Sequence, residues 1–143
     1  MSEQNFSNHA QMVPGFHYVT AMGLFLTVIG SGVHFFGAWG TEGQYAAALI
    51  LVLSALTLVA TFYARIFALK AQDRAIRAEE NLRNFARHGA LLDSKLTVRQ
   101  IIGLRFASDD EYDELAKKAI ANNMSEKEIK QAIKNWKADT YRV

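Results

Sequence analysis

The run ALILVLSALTLVATFYARIFALKAQDRAIRAEENLRNFARHG, from Ala48 to Gly89, changes character halfway along, with no proline or internal glycine to interrupt it. Its first half is almost wholly apolar, and more than a third of the residues in its second half are charged. This pattern predicts one continuous helix that begins in an apolar environment and ends in water.

The charges of the 143-residue chain are separated in the same way. Glu42 is the only charged residue between Gln4 and Ala64, whereas all 16 Lys and Arg residues lie from Arg65 onward. The basic part also holds most of the acidic residues, so its net charge is too mild to predict nucleic-acid binding. The chain has no cysteine, which excludes disulfides, thiolate metal sites and cysteine nucleophiles.

Two segments, 16–36 and 45–64, have the composition of membrane-spanning helices, which need about 20 mostly apolar residues. The short, glycine-rich connection Gly37–Gly43 predicts an antiparallel hairpin. Basic residues crowd the exit of the second segment and are absent from the connecting loop. The positive-inside rule therefore predicts cytoplasmic termini and an external loop. Three of these basic side chains are expected to lie near anionic lipid headgroups: Arg65, Lys70 and Arg74.

Small residues recur with a period of seven in both predicted spans. Lipid gives two helices no hydrophobic reason to associate, so close backbone contact along small residues is the expected driving force. The predicted helix-packing seam consists of Gly23, Thr27, Gly30, His34, Gly37, Ala47, Ser54 and Thr61. The alternative is that one of the two rows serves an oligomer or a helix of a partner.

After the second span, four helical stretches follow one another, and the last three begin with capping boxes at Thr97, Ser108 and Ser125. The predicted helices are 65–87, 98–106, 109–122 and 126–137. The fold class is therefore all-α: a two-helix transmembrane hairpin whose second span continues into a small cytoplasmic helical bundle. The predicted divisions are an N-terminal cytoplasmic segment 1–14, the hairpin 15–64 and the cytoplasmic helical module 65–143.

An apolar stripe along the long helix is expected to pack against the apolar faces of the three short helices. The predicted core of the bundle consists of Phe67, Ala71, Ala78, Leu82, Phe85, Ile101, Phe106, Leu115, Ile133 and Trp136. Ion pairs between Glu79 or Glu80 and Arg99 or Arg105 are expected to fix the register of the bundle.

No catalytic, cofactor or metal site is predicted. The chain lacks a Walker loop, HExxH, GxSxG and a dinucleotide fingerprint. His17 and His34 lie near opposite ends of one span, roughly 25 Å apart at 1.5 Å per residue, so they cannot share one ion. His9 could join His17 only if the N-terminal segment folds back. The acidic run Asp109–Glu114 is typical of the first turns of a helix and lacks the spacing of a calcium loop.

Four stretches carry a family resemblance: QNFSNHAQMVPGFH, FALKAQDRAIRAEENLR, LTVRQIIGLRFASDDE and AIKNWKADTYRV. Together they resemble an uncharacterised family of small two-span bacterial membrane proteins, described only as a domain of unknown function. The likeness covers nearly the whole chain. It implies a bacterial cytoplasmic membrane location and two spans, and it brings no activity and no catalytic residues.

The expected function is that of a non-enzymatic integral membrane protein, an accessory or scaffolding subunit. Its cytoplasmic module would be presented to another membrane protein or to a further copy of itself. Absent catalytic motifs and available helix surfaces support this interpretation. The alternative is a homo-oligomeric channel or transporter-like pore lined by Thr20, Thr27, His34, Ser54 and Thr61.

Overall fold

The computed structural model describes residues 4–9 and 12–139 of the chain. The described part is all-α, as the sequence predicts, with one isolated antiparallel bridge between Ala107 and Trp136 and no strand. A π-helical segment, Gly15–Thr20, leads into the first of the helices, which are α1 (Ala21–Gly37), α2 (Gln44–His88), α3 (Val98–Leu104), α4 (Asp109–Ala121) and α5 (Glu126–Ala132).

The chain divides into two compact units. The first, residues 12–68, is called the hairpin. The second, residues 4–9 together with 69–139, is called the helical module. Two helices, Gly15–Gly37 and Gln44–His88, are long and apolar enough to cross a membrane.

In the hairpin, α1 and α2 meet along a narrow polar and small-residue contact. Ser31 and Ala47 are buried, and so is Ser54, whose hydroxyl lies 2.9 Å from the hydroxyl of Ser31. The turn between the helices contains Gly40 at a φ of 78°, a conformation that L side chains rarely adopt. The Gln44 side chain accepts a hydrogen bond from the Gly40 N–H and so closes the turn.

The packing face of α1 differs from the predicted one. On α2, Ala47 and Ser54 are buried and Thr61 is partly buried. On α1, the predicted residues are all exposed: Gly23, Thr27, Gly30, His34 and Gly37. At 100° per residue, the centre of that row lies about 80° from Ser31, a little less than a quarter of a turn. The hydrogen bond between the two serines determines which face of α1 is turned to α2.

In the helical module, the helix ends follow local sequence signals. Gly89 has a φ of 69° and its N–H donates to the Phe85 carbonyl, which ends α2. Capping boxes form at Thr97 with Gln100 and at Ser125 with Glu128, which confirms two of the three predicted boxes. At the start of α4, the side chain of Ser108 makes no cap hydrogen bond.

The core of the module is built around the three short helices. Its buried members are Ile76, Leu96, Ile101, Ile102, Leu104, Phe106, Ala107, Tyr112, Leu115, Ala119, Ile129 and Ile133, with Trp136 partly buried beside them. At Gly103, an added Cβ would lie 3.1 Å from Ile129 and 3.2 Å from the Glu126 carbonyl oxygen, so the absence of a side chain lets α3 approach α5 closely.

The last helix is shorter than the predicted 126–137. It ends at Ala132 because Ile133 adopts an extended conformation. The Glu111 carboxylate accepts hydrogen bonds from the backbone N–H groups of Lys134 and Asn135, and the Lys137 N–H donates to the Phe106 carbonyl. Hydrogen bonds to the Glu111 side chain and to the Phe106 carbonyl therefore replace the final helical turns.

The predicted apolar stripe of α2 is not part of this core. Phe67, Leu82 and Phe85 are 61%, 68% and 53% exposed, and Ala71 and Ala78 are exposed as well. The module instead covers a different face of α2, which carries Ile76, Glu80, Arg83 and Arg87. Ionic and aromatic contacts, rather than the apolar stripe, fix the position of the short helices on α2.

Candidate interaction surfaces

Arg83 is the central contact between α2 and α4. Its guanidinium donates to the Asp109 carboxylate over 2.8 and 2.6 Å, to Glu80 over 3.1 Å and to the Ala107 carbonyl over 2.8 Å. The same group lies 4.5 Å from the centre of the Tyr112 ring. The planar fork of arginine suits this combination of carboxylates, a carbonyl and an aromatic face, and lysine could not reproduce it.

Arg87 repeats the arrangement one turn further along α2. It donates to both carboxylate oxygens of Asp113, over 3.1 and 2.9 Å, and to the Asp109 carbonyl over 2.9 Å. The Nε2 atom of His88 lies 3.0 Å from the same Asp113 carboxylate. Two successive turns of α2 are thus attached to two successive turns of α4.

The most buried charge of this contact is Glu80, whose side chain is only 8% exposed. A buried carboxylate is costly unless it is paired, and the adjacent Arg83, whose side chain is 11% exposed, supplies the pair. Tyr112 of α4, whose ring lies against the Arg83 guanidinium, is almost fully buried. The arrangement therefore depends on Arg83 being present.

These contacts favour the charged forms of Arg83 and Asp109 and the neutral form of Tyr112. Burial opposes the charge on Arg83, but hydrogen bonds and attraction from Asp109 and Glu80 raise its pKa above the ordinary value. The hydrogen bond from Arg83 lowers the pKa of Asp109, and burial followed by the nearby Glu80 carboxylate raises the pKa of Tyr112. Because the pKa of Asp109 is lowered by folding, its pairing stabilises the module above the ordinary aspartate range. That contribution is lost as pH falls through the lowered value.

The sequence contained a signal for this contact. Arg83 and Arg87 are four residues apart on α2, and their partners Asp109 and Asp113 are four residues apart on α4. Residues at this spacing share one face of a helix. Two matched pairs of opposite charge therefore predict helix docking, and they outweigh the apolar stripe.

The predicted register-fixing pairs are not formed. Glu80 pairs with Arg83 on its own helix, and Glu79 is exposed. Arg99 lies 3.6 Å from Glu126 and Arg105 lies 3.2 Å from Asp139. The two arginines of α3 and its C-terminal cap thus contact later parts of the module, because α4 and not α3 faces the charged side of α2.

The N-terminal segment 4–9 packs on the module near the end of the chain. His9 packs against the rings of Phe106 and Trp136, with centroid distances of 5.9 and 5.8 Å. Its Nε2 atom is 3.3 Å from the Lys130 ammonium, and its Nδ1 is 2.7 Å from the Phe6 carbonyl oxygen. Since the ammonium only donates, Nε2 must accept and Nδ1 must carry the proton in this arrangement.

The segment therefore packs on the module, with His9 beside Lys130. His17 contacts the Val13 carbonyl at 2.9 Å, and His34 is exposed on α1. Within 4–9 and 12–139, no three His, Asp or Glu side chains are grouped as a metal ion would require.

An open cleft of about 320 Å³ lies between the end of α2, the following loop and α4. Leu92, Leu96 and Ile120 line its apolar part, and the His88–Asp113 pair and Lys117 line its polar part. The pair offers a base but the lining holds no serine, threonine or cysteine nucleophile. The geometry supports no particular reaction.

Among the residues that the structure describes, two rows predicted to pack within the chain are exposed instead. One is the small-residue row of α1, from Gly23 to Gly37 in the hairpin. The other, called the α2 stripe, belongs to the module and consists of Ala71, Ala75, Ala78, Leu82 and Phe85. Both are helix faces with the composition of helix–helix interfaces.

The structure thus defines an all-α protein with two long apolar helices and a small helical module joined to one of them. The family of unknown function DUF6526 matches the chain over residues 1–143, and the chain belongs to this family. No curated protein and no solved structure matches the chain.

Proposed function

We propose that this protein is a non-enzymatic accessory or scaffolding subunit of the bacterial cytoplasmic membrane. The hairpin anchors it with both termini and the helical module in the cytoplasm. Support for the anchor comes from the two apolar helices, whose large side chains are mostly exposed, and from the basic residues that follow the second one. Arg65, Lys70 and Arg74 would lie at the anionic headgroups.

The observation that carries the subunit role is the outward position of the small-residue row on α1. Its glycines meet no neighbouring side chain: a Cβ added at Gly23, Gly30 or Gly37 would find nothing within 4 Å. In lipid, such a row lets another helix approach closely. The hairpin does not use the row itself, so it is available to a helix of another membrane protein.

The pore alternative has less support. Ser54 is buried against Ser31 and so cannot line a pore. Thr27 and Thr61 donate their hydroxyl hydrogens to carbonyls of their own helix, at Gly23 and Thr57. Such hydroxyls can face lipid without an unsatisfied donor.

The test is purification of the tagged chain in mild detergent, with mass spectrometry of the retained proteins. We expect a foreign membrane protein in stoichiometric amount, lost when Gly30→Leu blocks close approach and kept when the exposed neighbour is changed by Val33→Leu. Equal retention by both variants, or a pure chain with no partner, would contradict the proposal.

A further inference from the structure

The α2 stripe has the spacing of a coiled-coil seam. Ala71, Ala75, Ala78, Leu82 and Phe85 follow one another in steps of four, three, four and three residues. This average of 3.5 residues keeps one row of side chains against a partner helix. All five are exposed, and the last two are 68% and 53% exposed although both are large and apolar.

The stripe is unobstructed by the rest of the module. At 100° per residue, its centre lies almost opposite the face that carries Ile76, Glu80 and Arg83. That face is occupied by the ionic contacts to α4. A second helix can therefore approach along the stripe without meeting the short helices.

The charges beside the stripe are self-complementary. In the seven-residue repeat, Ala75 and Ala78 lie in the seam. Arg74 comes directly before Ala75, and Glu79 comes directly after Ala78. In a parallel pair in register, these flanking positions meet across the interface when they are five residues apart, as Arg74 and Glu79 are. Both are exposed, and neither has an ion-pair or hydrogen-bond partner within the residues that the structure describes.

We infer that the α2 stripe binds the same stripe of a second copy, forming a parallel two-stranded coiled coil over residues 71–85. Twofold symmetry doubles each contact, so one dimer contains two Arg74–Glu79 pairs. The alanines permit close approach, and Leu82 and Phe85 supply most of the apolar surface. The parallel orientation rests on the proposed membrane anchoring, because copies inserted with one topology have parallel α2 helices.

The absence of native cysteine makes the seam directly testable by disulfide formation in membranes. Ala78→Cys places a thiol in the seam, and Arg77→Cys, its immediate neighbour, places one on a different exposed face. After mild oxidation with copper phenanthroline, we expect a cross-linked homodimer with Ala78→Cys at a yield at least about tenfold above that of Arg77→Cys. Equal yields, no dimer with Ala78→Cys, or coupling to a different polypeptide would overturn the inference.

The register is tested in the Ala78→Cys background by charge exchange. Arg74→Glu and Glu79→Arg each place like charges together and should lower the cross-linked fraction severalfold. The double exchange restores opposite charges and should restore the parent yield. Unchanged yields in both single variants, or no recovery in the double one, would overturn the in-register pairing.

The same membranes distinguish the two proposals. Loss of the chain on carbonate washing, with cross-linking retained, would contradict the membrane anchor and the reason for a parallel orientation, but not the pairing of the two stripes. If the chain stays in the membranes after carbonate washing but shows no seam-specific cross-linking, only the coiled coil is contradicted.

Discussion

At the residue scale, Arg83 is the side chain on which the module depends most. It contacts two carboxylates, a backbone carbonyl and an aromatic ring. The charge pattern made this predictable, because Arg83 and Asp109 each have a like-charged residue four positions on. What the sequence could not show is the burial of Glu80, which depends on how closely α4 approaches. An isolated Glu on a charged helix is expected to be solvated.

Replacing Arg83 should therefore show how much the buried Glu80 carboxylate destabilises the module when its ion pair is absent. Arg83→Met leaves the Glu80 carboxylate buried without its pair, and we expect the module to lose about 3 kcal/mol of unfolding free energy. The Glu80→Gln/Arg83→Met double variant should recover a substantial part of this loss. Reversible urea unfolding, followed by the fluorescence of Trp136 in a Trp39→Phe background, measures both.

Asp109→Asn is the matched control because it removes the other carboxylate of Arg83. Its side chain is 65% exposed, so the expected loss is below about 1 kcal/mol. A loss as large as that of Arg83→Met, or a double variant no more stable than Arg83→Met, would contradict the account.

At the scale of helices, two of the three predicted capping boxes form in the structure. The predicted packing row of α1 and the apolar stripe of α2 are instead exposed. Thr97 and Ser125 mark helix starts in the sequence, and each does so in the structure. Periodicity also identified apolar rows, but an apolar row does not specify whether it packs within the chain or against another one. The rows of α1 and α2 both proved to be exposed, because polar contacts through Ser31 and Arg83 involve other faces of these helices.

The three N-terminal caps provide an internal comparison. Thr97→Ala and Ser125→Ala each remove a side-chain acceptor from a capping box, so each should cost about 1 kcal/mol of unfolding free energy. Ser108→Ala should cost nothing or stabilise slightly, because the buried Ser108 hydroxyl has no hydrogen-bond partner among the described residues. Thermal unfolding of the three variants under one set of conditions ranks them, and a destabilised Ser108→Ala would show that its hydroxyl has a partner.

At the scale of the whole molecule, the distribution of charged residues along the sequence is enough to predict an apolar hairpin followed by a charged module. The hairpin's helices are long enough to cross a membrane, and the short helices of the module pack around one core. The path of the N-terminal segment was not predictable, because it depends on contacts with residues more than 120 positions away.

The proposed topology predicts opposite accessibility of two surface positions in a chain without native cysteine. Glu42→Cys, in the turn between α1 and α2, should react with a membrane-impermeant maleimide in intact cells. Lys118→Cys, on α4, should react only after the cytoplasmic membrane is opened, because the positive-inside rule places the module inside. Labelling of Lys118→Cys in intact cells, or protection of Glu42→Cys, would reverse or exclude this topology.

Gln4 and Asp139 are hydrogen-bonded to each other although they are 135 positions apart in the sequence. The Gln4 side chain accepts a hydrogen bond from the Asp139 N–H over 2.7 Å and donates to the Asp139 carbonyl over 3.3 Å. During biosynthesis the N-terminal segment leaves the ribosome first, yet Lys130, Trp136 and Asp139 are made on the order of 10 s later at ordinary rates of translation. The contacts between the N-terminal segment and these residues therefore form only after Asp139 has been made.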